Sequence, residues 1–160
     1  MLQPAYDTDS PRASLRFGGA VARLTAQWYH HPESTTNAEG GLPLESLQEL
    51  THRLREFVAE RAWDQFHSPK NLAMALAVEV AEILEHFQWL TEQGSSKLPD
   101  EKLSEIREEI GDVLIYLVRL ADVLGIDPLK AAEDKLAKNE GKYPAEKVKG
   151  KALKYTEYSR

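Results

Sequence analysis

Two pairs of carboxylates, each spaced three residues apart, are the groups in this chain best suited to do chemistry. Glu79 and Glu82 form the first pair, Glu109 and Asp112 the second. Residues three apart on a helix share a face, one turn from each other. The text around the first pair is apolar: Leu72, Met74, Leu76, Val78, Val80 and Ile83 leave almost no polar face. A helix apolar all round is normally buried. An ionised carboxylate buried there must neutralise, pair with a cation or bind a metal, because leaving it alone is costly. The only lysine or arginine of this segment is Lys70, at its start, so no basic partner lies within the helix. The pattern points to a metal site.

Glu105 and Glu108 lie on the turn before the second pair, and Tyr116 and Arg119 continue its stripe. This helix also has an apolar face, so its acids could simply meet water. Facing Glu79 and Glu82 across a bundle, they would instead complete a four-carboxylate cage. All-oxygen ligation favours Mg²⁺ or Mn²⁺, and Mg²⁺ characteristically keeps waters and shares a phosphate-bearing substrate. Trp63 sits just before the first acidic helix, in Trp63-Asp64-Gln65-Phe66-His67. Trp89 falls near Glu82 on the same helical wheel, two turns further on. An indole beside a metal-and-phosphate site is a platform for a nucleobase; core packing is the alternative for each. Lys135, Lys138, Asn139 and Lys142 precede Tyr143-Pro144. Lysines there suit a helix C-terminus electrostatically and would serve equally as phosphate ligands.

These residues must be positioned by helices. Leu47, Leu50, Leu54, Phe57 and Val58 predict a first helix over residues 44–61. Ser68-Pro69 is a cap and first-turn signal, opening a second helix to about residue 91. Residues 94–99 read as a linker. Asp100 reads as the cap of a third helix with Leu103, Ile106, Ile110, Val113, Leu117, Leu120 and Leu124 on one stripe, ended by Gly125. Asp127-Pro128 opens a fourth helix to about Glu140; Pro144 blocks its continuation, leaving an extended or irregular tail. Nothing alternates with period two, so no sheet is expected. Short connections between long helices predict an all-α, four-helix antiparallel bundle over residues 44–160. Residues 1–43, rich in Pro, Gly, Ser, Thr and Asn, read as a flexible N-terminal arm, in which the Trp28, Tyr29, His30, His31 run is incidental rather than a metal site.

The chain of 160 residues is one domain's worth of sequence. The absence of cysteine excludes disulfides, thiolate metal sites and a cysteine nucleophile. No apolar run approaches the ~20 residues that span a bilayer, and the N-terminus lacks the blocks of a secretory signal. We therefore expect a cytoplasmic protein. A net charge of −6 argues against direct nucleic-acid binding. The charge is uneven: residues 79–112 hold ten acids against three basic residues, and residues 142–160 six basic residues against two acids. An acidic centre with a basic tail suits a site for a cation and a polyanion together, although solvated helix faces would give the same count.

The two acidic pairs resemble the metal motif of the all-alpha nucleoside triphosphate pyrophosphatases, the MazG-like superfamily. Trp63-Asp64-Gln65-Phe66-His67, Pro69-Lys70-Asn71-Leu72, Phe87-Gln88-Trp89, Asp112-Val113-Leu114-Ile115-Tyr116-Leu117, Lys142-Tyr143-Pro144 and Lys154-Tyr155-Thr156 look like its dCTP pyrophosphatase branch. The match runs from about Leu47 to Tyr158; Ala81 stands where the family usually has Gly between the first two acids. The resemblance implies metal ligation by Glu79, Glu82, Glu109 and Asp112. It implies base stacking on Trp63 and Trp89, with His67, Asn71 and Tyr116 lining the pocket. Phosphate contacts would come from Lys135, Asn139, Lys142 and Tyr143, helped by Lys154 and Tyr155. It further implies dimers or tetramers sharing active sites, and hydrolysis of dCTP or a 5-modified dCTP to the monophosphate and pyrophosphate, with Glu79 our first choice of general base. Two rivals stand beside this. Glu49-x-x-His52 and Asp64-x-x-His67 hint at a di-iron carboxylate bundle, and the apolar stripes alone would suit a helical scaffold.

Overall fold

The computed structural model describes residues 44–152. Trp28, Tyr29, His30, His31, Lys154 and Tyr155 lie outside the described residues, as does the proposed arm. Every regular element among the described residues is helical, as expected.

Helix α1, Leu47–Glu60, is capped by Ser46, whose hydroxyl accepts from the Glu49 amide at 3.1 Å. It ends at Ala62, a non-glycine residue in the left-handed region (φ 51°), which turns the chain into a short 3₁₀ segment, Trp63–Phe66. Helix α2, Pro69–Phe87, starts as the sequence signals: Ser68 accepts from the Asn71 amide and proline takes the first turn. It stops four residues short of expectation. Thr91 caps a separate single turn, Glu92–Ser95, with its hydroxyl on the Gly94 amide at 3.0 Å. The expected linker is therefore partly helical, and Trp89 lies beyond α2, off the wheel that set it near Glu82.

Helix α3, Asp100–Val123, begins with Pro99 at the cap and no side-chain bond there, so Asp100 is its first residue and not its cap. Its end follows the sequence: Gly125 takes φ +66°, its amide bonds to Asp122 and that of Ile126 to Ala121, the two bonds of a Schellman closure. Asp127 then caps helix α4, Pro128–Lys142, by accepting from the Leu129 and Lys130 amides. Pro144 does not leave the tail irregular throughout, because Ala145–Val148 forms one more turn.

The most extensive packing joins α2 to α3, and α1 packs on α3 and on the 3₁₀ segment. The pairing is antiparallel: Glu79 of α2 meets Asp112 of α3, while His86 further along α2 meets Glu105. The core is small, built from Leu54, Val58, Leu72, Ala75, Ile106, Tyr116, Val118 and Ala121. Helix α4 buries none of its residues, so within one chain it does not close the bundle. Nor are α2 and α3 buried on every side. Val80 and Leu84 of α2, Leu103, Ile110 and Leu117 of α3 and Leu124 at its C-cap are all exposed. The expected stripe of α3 is thus split: Leu103, Ile110 and Leu117 face outward and Val113 and Leu120 are half-buried, while Ile106 is buried on the face that carries Glu109, Asp112, Tyr116 and Arg119 toward the neighbouring helices.

Candidate active site

Glu79 is 1% exposed and ranks among the largest fully buried side chains of the chain. It shares the inner face of α2 with Leu72 and Ala75, which is why the helix carries it inward. One ligand atom each from Glu79, Glu109 and Asp112 lies within 4.8 Å of the others. Glu82 is not part of that trio, but it hydrogen-bonds the Glu109 side chain and its charge bears on all three. The structure therefore gathers the four predicted acids in one place.

Their electrostatics follow from crowding. Burial, then the charges of Glu82, Asp112 and Glu109, push the Glu79 carboxyl up to about 8. Burial, then Glu82 and Asp112, raise Glu109 to about 7. Asp112 is raised as well, by burial first and by Glu82 and Glu108 next. Two carboxylate oxygens, Glu79 Oε2 and Glu109 Oε2, are buried with no hydrogen-bond partner among the described residues. Buried polar atoms are rarely left so. The all-oxygen donor set, its mutual repulsion and its orphaned oxygens fit a hard divalent cation, so these acids form a group able to hold a metal ion.

His86 extends the cluster toward solvent. Its Nε2 lies 4.0 Å from Glu109, its Nδ1 3.6 Å from Glu105, and Lys102 Nζ approaches Nδ1 at 3.2 Å. The sequence reading missed His86, although it lies on the same α2 stripe as Glu79 and Glu82.

The base-platform residues divide. Trp63 is half-buried in the 3₁₀ segment, edge-on to Phe57 with ring centroids 5.7 Å apart. Asn71 donates from Nδ2 to the Phe66 carbonyl at 3.0 Å, tying that segment to the start of α2. His67 and Tyr116 are buried. Trp63 and His67 belong to the turn between α1 and α2, Asn71 is tied to it, and Tyr116 lies one turn before Arg119, the α3 residue that bonds His67. Trp89 does not join them through α2 and is 77% exposed. Lys135, Asn139, Lys142 and Tyr143 lie on or just after α4, which packs extensively on neither acidic helix.

The rival iron motif is not assembled. His52 is 71% exposed and paired with Glu56, Glu49 is engaged with Arg53, and Asp64 bonds Arg119. No helix of the described residues is long and apolar enough to cross a membrane.

An all-helical chain with a buried carboxylate cluster between antiparallel helices defines a carboxylate-site helical protein. The MazG-like family model matches residues 74–158. The dCTP pyrophosphatase 1 of Mus musculus is 42% identical over 120 residues, covering 74% of this chain and 71% of that protein. The human dCTP pyrophosphatase 1 is 41% identical over 117 residues, covering 72% and 69%. The crystal structure of a pyrophosphatase from Archaeoglobus fulgidus superposes with a TM-score of 0.60 at 43% identity, covering 66% of this chain and 99% of the other. This chain belongs to the MazG-like family.

Proposed function

We propose that this protein is a metal-dependent nucleoside triphosphate pyrophosphohydrolase. It acts on dCTP or a 5-modified dCTP, releases the monophosphate and pyrophosphate, and thereby cleans the nucleotide pool of the cytoplasm. The observation that carries the reading is the cluster of buried Glu79 with half-buried Glu109 and Asp112, Glu82 beside it, in a chain similar to dCTP pyrophosphatases.

Glu79, Glu82, Glu109 and Asp112 would hold Mg²⁺ (or Mn²⁺), which when bound neutralises charge on the phosphate oxygens as it builds toward the transition state. Trp63 and Trp89 stack the base, and His67, Asn71 and Tyr116 line its pocket. Lys135, Asn139, Lys142 and Tyr143 meet the triphosphate. Water attacks the α-phosphorus, the bond to the α,β-bridging oxygen breaks, and pyrophosphate leaves. Glu79 takes the proton of that water: burial among like charges raises its proton affinity, and a cation held by the cluster would keep it ionised and ready to accept.

The same reading accounts for the outward apolar faces. Ile110 is 54% and Leu136 60% exposed, and the exposed set runs over α2, α3 and α4. Large apolar side chains exposed on three helices suit an interface between copies. A homodimer or tetramer would cover it, and the α4 lysines would then serve a pocket shared between copies. Residues 44–160 form the catalytic unit and residues 1–43 an arm. A scaffold reading shares the apolar faces but gives no reason to bury Glu79 and crowd three further acids against it. The test is pyrophosphate release from a panel of ribo- and deoxynucleoside triphosphates with Mg²⁺. We expect dCTP-type substrates to rank first and Glu82→Ala and Asp112→Ala to be inactive. Turnover of no nucleotide, with stability indifferent to Mg²⁺, would favour the scaffold.

A further inference from the structure

We propose that Arg119 is a positioning residue: it fastens the Trp63-bearing turn to α3 and fixes the proton of His67 on Nε2. Arg119 lies on α3 two turns beyond Asp112, with its side chain 9% exposed. Its three nitrogens point to three acceptors. Nη2 donates to Asp64 Oδ1 at 2.7 Å, Nη1 to Asp122 Oδ2 at 2.8 Å, and Nε to His67 Nδ1 at 3.4 Å. Asp122 is held from its other side by Arg55 of α1, so the network ties α1, the turn and α3 together.

A buried guanidinium is stable only with its charge matched and its donors used. Here two carboxylates and an imidazole do both. The planar fork of arginine reaches divergent acceptors that a lysine ammonium on its single stem cannot hold at once. A ring nitrogen that accepts a hydrogen bond carries no proton, so neutral His67 must be protonated at Nε2 and can only donate from there. Burial first and the Arg119 charge next push His67 below the usual histidine range, while Asp64 of its own turn pulls the other way. Arg119 from α3 and Asp64 from the turn thus act on the ring with opposite sign. The consequence rests on the proposed function: the platform of Trp63 keeps its place relative to Glu109 and Asp112 because those acids sit on α3 and Arg119 fastens the turn to the same helix.

The direct test uses the intact, nucleotide-free protein labelled with ¹⁵N. Long-range ¹H–¹⁵N correlation at neutral pH should show His67 Nδ1 unprotonated and Nε2 protonated, its signals assigned by their loss in His67→Gln. The opposite tautomer overturns the proposal. Arg119→Lys keeps the charge and removes the fork; in it the His67 tautomers should mix, and KM for dCTP should rise roughly tenfold with kcat changed less than about threefold. An unaltered tautomer, or an unaltered KM, also overturns it. Should that variant fail to fold, Asp64→Ala removes the acceptor of Arg119 Nη2 and cuts the tie to the turn alone, and should raise KM while the His67 tautomer stays. A wild-type protein that hydrolyses no nucleotide would sink the proposed function and leave the tautomer result standing, so the two failures are distinguishable.

Discussion

Replacing Glu79 with glutamine should stabilise the metal-depleted protein at alkaline pH and abolish its response to Mg²⁺. The Glu79 carboxyl is raised from 4.5 to about 8, by burial first and by Glu82, Asp112 and Glu109 next. A carboxyl that holds its proton more tightly folded than unfolded contributes stability that is complete below the unfolded value. That stability is lost as pH climbs through the folded one. Over the interval from 4.5 to 8, at about 1.4 kcal/mol per pH unit, up to about 5 kcal/mol is at stake. Glu109 and Asp112 act in the same direction but share the same charges, so their effects do not simply add. Glutamine does not titrate, and its buried amide costs about 1–3 kcal/mol if unpaired, leaving a net gain of about 2–4 kcal/mol at the alkaline end. The assay is urea unfolding followed by circular dichroism in EDTA, across the interval from mildly acidic to mildly alkaline pH, with protein concentration fixed because association would also shift the midpoint. Wild-type stability should fall with rising pH, the variant should fall less because only Glu109 and Asp112 still titrate from raised values, and Mg²⁺ should rescue only the wild type. A wild-type curve that is flat or rises over that interval without metal would refute the electrostatic argument.

Three more outcomes follow from the same geometry. Glutamate at Ile110 or Leu117, both exposed on the outer face of α3, should shift the protein to monomer in size-exclusion chromatography with light scattering, and helicity should stay unchanged. Trp63→Ala should weaken nucleotide binding by about 1–3 kcal/mol, measured by calorimetry with a non-hydrolysable analogue, as expected for loss of a stacking platform. Ala62 holds φ 51° between α1 and the Trp63 turn, and the left-handed region costs an L-residue about 1–2 kcal/mol. Ala62→Gly should therefore raise the thermal midpoint, and Ala62→Val should lower it.

What was legible in the sequence was what local chemistry decides. Ser68-Pro69 and Asp127-Pro128 start their helices as read, and Gly125 ends α3 through a left-handed closure. The carboxylate pairs were legible because a helix puts residues three apart on one face, and the apolar text around Glu79 announced its burial. Trp89 was misplaced because Thr91 offers the chain a competing cap, which helical periodicity does not register. The inside and outside of α3 were not decidable from one strand of text. The helix carries an apolar stripe and a polar one, and only its partners fix which turns inward. Arg119 was noticed on the acidic stripe, but its bonds to Asp64 and His67 span 55 and 52 residues, a separation that no periodic pattern encodes.

The central claim is which bond the protein breaks, and ³¹P NMR of a dCTP digest with Mg²⁺ reads that directly. The account predicts dCMP and pyrophosphate as the first products, with the signals absent in Asp112→Asn. Orthophosphate and dCDP appearing first would place the attack at the terminal phosphorus and contradict the assignment.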